Sequence, residues 1–98
     1  MAEWSFLTNH ARVLLCVARD ANPRLRDIAE CVGITERAAH RIVDELVDAG
    51  YLTRHRLGRR NFYEVHPELP LRGALEGDHR VGEVLAVLLR EEEGAAAG

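Results

Sequence analysis

Four arginines crowd around one glycine: Arg54, Arg56, Arg59 and Arg60 flank Gly58, and no acid falls among residues 51–63. A guanidinium is a planar fork of donors that matches phosphate oxygens two at a time, so this cluster suits a polyanion. Asn61 follows directly and adds an amide. A second polar set lies upstream: Thr35, Glu36, Arg37, His40 and Arg41. At helical spacing these share one side of a helix. In a helix seated in the major groove of a duplex, Arg37 can pair bidentately with guanine O6/N7, and Glu36 can accept from cytosine N4. His40 and Arg41, one turn further on, reach base or phosphate. Arg59 and Arg60 suit the minor groove or a clamp on phosphates. Two plainer explanations compete: a solvated charged helix face, and a hairpin charged against edge-to-edge aggregation.

Other chemistry finds less support. No phosphate loop, nucleophile elbow or metalloprotease His pair is present, so no enzymatic activity is expected. Cys16 and Cys31 fall in or beside apolar helical stripes and read as buried structural thiols; redox sensing is the sharper alternative. Two cysteines are too few for a disulfide framework and lack CxxC metal spacing. Asp78, His79 and Glu83 could hold a divalent ion, but an N-cap and two exposed side chains explain them as well. No metal and no cofactor are expected.

These residues need elements to position them. Thr8 is a good N-cap for a first helix. Leu7, Ala11, Leu14, Leu15 and Ala18 form one apolar stripe, with Val13 and Val17 adding a second. Asp20-Ala21-Asn22-Pro23 stops that helix. Leu25, Ile28, Ala29 and Val32 form a short second stripe ended by Gly33. Thr35 caps a third helix, with Glu36 in its first turn and Ala39, Ile42, Val43, Leu46 and Ala49/Gly50 on its buried face; Gly50 closes it. From Tyr51 the period changes. Tyr51 to Leu57 and Asn61 to Val65 flank Gly58-Arg59-Arg60 as a β-hairpin. Pro67 to Gly77 reads as an extended connector. A fourth helix starts near Asp78, apolar over a wide arc; fraying is expected at Glu91-Glu92-Glu93, where the dipole disfavours acids.

The chain has 98 residues, 47% hydrophobic and 30% charged, and a net charge of −3. That is one globular domain. The N-terminus lacks the basic stretch of a signal peptide, and no apolar run approaches a membrane span, so a cytoplasmic protein without membrane contact is expected. Acidity alone argues against nucleic acid, but the charge is unevenly placed. Residues 1–34 are neutral, residues 35–66 carry +1 and residues 67–98 carry −4. All thirteen basic residues are Arg, which with the Ala-rich composition fits a GC-rich genome.

Two short helices joined at a glycine turn, then a hairpin, is the order of a winged helix-turn-helix. The expected class is mainly α with a β-hairpin, in the order α-α-α-β-β-α. The window Leu25 to Asp44 resembles the helix-turn-helix pattern of bacterial repressors; Ala39 departs from it, since a larger branched residue is common there. Trp4 to Val65 resembles winged-helix regulators of the MarR and ArsR type. Leu25-Arg26-Asp27-Ile28-Ala29, Gly33-Ile34-Thr35-Glu36-Arg37-Ala38, Gly50-Tyr51-Leu52 and Gly58-Arg59-Arg60-Asn61 resemble small actinobacterial members in particular.

The resemblance implies a bacterial, sequence-specific DNA-binding transcriptional regulator. Its reading elements are a recognition helix near 35–49 and an Arg-rich wing at 54–61. The expected organisation is a DNA-binding domain at 1–66, a connector at 67–77, a dimerisation helix at 78–93 and a disordered tail at 94–98. Surplus apolar residues (Val13, Val17, Val81, Val84, Leu85, Val87 and Leu88) predict a homodimer through the first and fourth helices. That pairing would set two recognition helices about 34 Å apart, one DNA turn. Thr8 and Arg24 offer further phosphate contacts. A small-molecule effector would bind between the first and fourth helices, because the chain is short for a separate effector domain. The alternative from another class is a winged-helix protein-interaction module that does not touch DNA.

Overall fold

A computed structural model describes residues 4–20 and 23–97, with side chains described as far as residue 90. The expectations for residues 1–3, for Ala21 and Asn22, for Gly98 and for the side chains of Glu91-Glu92-Glu93 lie outside that description. Four helices and one hairpin follow in the order α1 (Asn9–Arg19), α2 (Leu25–Val32), α3 (Glu36–Asp48), β1 (Leu52–Leu57), β2 (Arg60–Val65) and α4 (Val81–Ala97).

The caps follow local chemistry. The Thr8 hydroxyl accepts from the Ala11 N–H at 3.2 Å, and the Thr35 hydroxyl from the Ala38 N–H at 3.0 Å. At α2 the acid works from inside: the Asp27 carboxylate accepts from the Arg24 N–H at 3.0 Å. Gly33 ends α2 in the left-handed region, φ 84°, which a residue without Cβ enters at little cost.

Helices α1, α2 and α3 close on one core. Val13, Ile28, Ile42 and Val43 are its largest fully buried side chains. Burying each stabilises the fold by roughly 1.5–3 kcal/mol. Ala29 and Ala39 are also buried. Ala39, Ile42, Val43 and Leu46 of α3 are buried where periodicity places them, whereas Ala49 is half-buried and Gly50 exposed. Helix α1 is buried on both of its stripes, through Leu14 of the first and Val13 and Val17 of the second; Cys16 is buried with them, and Ala11, Leu15 and Ala18 are half-buried.

Cys16 and Cys31 are joined in a disulfide that ties α1 to α2. The expectation of two buried free thiols is therefore corrected. Only Cys16 is buried, and Cys31 is exposed. The helix crossing brings their Cα atoms to 6.7 Å, within bridging reach.

β1 and β2 pair antiparallel from Leu52↔Val65 to Leu57↔Arg60. The turn is therefore Gly58-Arg59, and Arg60 opens the second strand rather than ending the loop. Gly58 takes φ 64°, as a tight two-residue hairpin turn requires.

The connector is more ordered than its prolines suggest. A single 3₁₀ turn covers Ala74–Glu76, and Pro70 bridges Arg80. The Leu71 N–H donates to the His79 carbonyl at 2.9 Å, and the Val81 N–H to the Leu69 carbonyl at 2.9 Å. Leu69 and Leu71 pack against the core, and the Tyr51 hydroxyl donates to the Pro70 carbonyl at 2.5 Å. Helix α4 thus begins at Val81 rather than at Asp78. It runs to Ala97, so the backbone at 94–97, expected as a disordered tail, is helical. Val81 and Leu85 enter the core.

Candidate nucleic-acid interface

Helix α3 presents Thr35, Glu36, Arg37, His40 and Arg41 on its exposed face. That face forms an open groove lined by Thr35, Arg37, His40, Arg41, Asp44 and Asp48. Thr35, Arg37, His40 and Arg41 therefore share one accessible groove, whereas Glu36 is exposed in the first turn outside its lining. They are not equivalent. His40 Nε2 lies 3.6 Å from Asp44, and Arg41 donates to Glu45 at 3.3 Å, each pair at i, i+4. Glu45 is also 2.6 Å from His10 of α1. Its carboxyl is held below the ordinary value by the His10 hydrogen bond first, then by Arg41.

The hairpin sorts its arginines along its length. Arg54, near the base, donates to Asp44 Oδ1 of α3 at 2.5 Å. Its guanidinium lies 6.0 Å over the ring of Tyr63, its cross-strand partner. The hydrogen bond from Arg54 is the main reason the Asp44 carboxyl sits below its ordinary value. Arg56 turns its Nε–H to the Gly58 carbonyl at 3.2 Å, within the turn. Arg59 and Arg60 are exposed at the tip, and Asn61 is half-buried beside them. Sequence reasoning sets Arg59 and Arg60 apart at the tip and gives Arg54 no role beyond that of a wing cation. It does not reveal Asp44 and Tyr63 as partners, because they come close only when the chain reverses after α3 and the strands register.

Of the residues expected at a dimer surface, Val13, Val17, Val81 and Leu85 are spent on the protomer's own core. Val84 and Leu88 are half-buried, and Val87 is 52% exposed. Phe6 is 92% and Leu75 100% exposed, and Trp4 meets Phe6 edge-on with ring centroids 5.0 Å apart. His79 Nδ1 lies 2.8 Å from Glu83, but among the described residues no three His, Cys, Asp or Glu groups converge as a metal site. Thr8 is committed to its cap, and Arg24 opens α2. No helix among the described residues is long and apolar enough to cross a membrane.

Three core helices, a glycine-turned helix pair and a following hairpin define a winged helix-turn-helix. The chain belongs to the MarR family, whose model matches residues 6–60. No curated protein matches it. Solved structures share the fold. The AntR antimony-specific transcriptional repressor matches with a TM-score of 0.57 at 23% identity, over 90% of this chain and 69% of its own. MepR, a transcription regulator of the Staphylococcus aureus multidrug efflux pump MepA, matches with a TM-score of 0.55 at 14% identity, over 92% of this chain and 62% of its own. The zinc-dependent MarR-family transcriptional regulator AdcR, in its Zn(II)-bound state, matches with a TM-score of 0.53 at 19% identity, over 100% of this chain and 66% of its own. The chain thus spans about two thirds of the length of these regulators. The family and these neighbours are transcription regulators, not enzymes.

Proposed function

We propose that the chain is a sequence-specific DNA-binding transcriptional regulator that acts as a homodimer. Helix α3 enters the major groove with Thr35, Glu36 and Arg37 nearest the base edges and His40 and Arg41 behind them. The wing lays Arg56, Arg59, Arg60 and Asn61 on the minor groove and its phosphates, with Arg54 at its base. The observation that carries this reading is the pairing of Arg54 with Asp44, which sets the hairpin beside the exposed face of α3. Two elements that a duplex must meet together are thereby adjacent.

The exposed apolar side chains support self-association. Phe6, Val84 and Leu88 line a cavity of about 830 Å³ between α1, the end of α3 and α4, and Val87 is exposed on α4. A second protomer covers this face, and a small-molecule effector would occupy the cavity beneath. The acidic C-terminal third then faces the partner or solvent, away from DNA.

Selection of the protein on random duplex at two salt concentrations tests the reading. A salt-sensitive, enriched and palindromic site is the expected result. Absence of salt-sensitive enrichment would favour the protein-interaction module that does not touch DNA. A mass of 11 kDa by light scattering at micromolar concentration would overturn the homodimer.

A further inference from the structure

Asp44 is an acid on the face proposed to meet a polyanion. Its side chain is 42% exposed on α3, in the groove shared with Arg37, His40 and Arg41. Point-charge reasoning makes it a defect, because a carboxylate near phosphates opposes binding. Its geometry says otherwise. The carboxylate takes the Arg54 guanidinium at 2.5 Å, and Arg54 is also stacked over Tyr63 of β2. One guanidinium therefore joins α3, β1 and β2. Beyond it, every residue from Arg54 to Arg60 is exposed. The hairpin has only two strands, and such a ribbon is marginally stable by itself. Its direction relative to α3 is set near its base.

We infer that Asp44 is a positioning residue for DNA contact: through Arg54 it holds the hairpin at a fixed angle to α3, so that the helix and the wing engage one duplex together. The inference rests on the DNA-binding reading above and adds a residue that acts through another rather than on DNA. Asp44 also restrains Arg54 at the base of the wing.

The inference reverses the sign expected of a mutation. If Asp44 only repels phosphates, Asp44→Asn tightens binding. If it positions the wing, Asp44→Asn weakens binding about tenfold and lowers the salt slope by about one for each phosphate the wing no longer reaches. Asp44→Glu keeps the charge and the pair, and is expected to bind close to wild type. Hydrogen exchange of amides 54–60 in the free protein supplies a readout that does not involve DNA. It is expected to rise in Asp44→Asn and to return in the swapped pair Asp44→Arg with Arg54→Asp. Wild type that binds while Asp44→Asn binds equally or more tightly, with unchanged hairpin exchange, overturns the inference and leaves the DNA reading intact. Wild type that binds no duplex overturns both. Should Asp44→Asn fail to fold, Asp44→Glu and the swapped pair carry the same comparison.

Discussion

Cys16 of α1 and Cys31 of α2 form a disulfide across the first interhelical turn, buried at the Cys16 end and exposed at the Cys31 end. Their sequence separation is 15. Closing a loop of that size withholds entropy from the unfolded chain, a stabilisation of about 3 kcal/mol in the chain-entropy account. Adding a dithiol reductant is expected to lower Tm by about 10 °C or more. Thermal unfolding with and without reductant measures this, and coincident curves would refute a stabilising bond.

Asp44, Glu45, Glu64 and Glu83 all sit below their ordinary values. For Asp44 and Glu45 the main causes are hydrogen bonds from Arg54 and His10, for Glu64 one from His55, and for Glu83 one from the Arg80 N–H and then one from His79. A depressed folded pKa favours the folded state when the group is ionised. The contribution is present above the unfolded values, 3.8 for Asp44 and 4.5 for the three Glu, and is lost as pH falls through the folded ones. Stability should therefore drop on acidification below about pH 5. Glu45→Gln should flatten part of that limb. Parallel acid titrations of wild type and variant by circular dichroism would deny the His10–Glu45 pair a role.

Gly82, in the first turn of α4, donates its N–H to the Pro67 carbonyl at 3.0 Å. A Cβ there would lie 2.8 Å from that same oxygen and 2.6 Å from the Pro67 Cβ. Ala is normally the better helix former by about 1 kcal/mol. At Gly82 the clash outweighs that gain, so Gly82→Ala is expected to destabilise by about 1–3 kcal/mol. A raised denaturation midpoint would show that α4 does not approach Pro67 so closely.

Arg37 and the tip arginines should fail differently. Arg37→Ala is expected to relax sequence preference at one position, at a cost of about 1–3 kcal/mol to the best site. Arg59→Ala with Arg60→Ala should weaken binding to all duplexes and reduce the salt slope by about two. Titrations of a selected and a scrambled duplex at several salt concentrations separate the two. An unchanged slope in the tip variant would remove the wing from the phosphates.

Much was legible along the chain because it is governed by near neighbours. Thr8 and Thr35 cap helices through N–H groups three residues on. Ala39, Ile42, Val43 and Leu46 share a face because a helix repeats every 3.6 residues. Gly58 marks the turn because it enters positive φ readily. With the glycine at position 33, these signals are enough for a winged helix-turn-helix and for the exposed row from Thr35 to Arg41. What tertiary structure decided are pairings between residues distant in sequence. Whether Val13 and Val17 feed a dimer or the protomer's own core depends on where α2 docks. The Cys16–Cys31 bond depends on the same crossing. Asp44 meets Arg54, and Glu45 meets His10, only when α3 is set against the hairpin and α1. Periodicity reports which side of an element is apolar, but the partner of an exposed charge is chosen by the packing of whole elements. No local pattern encodes that choice.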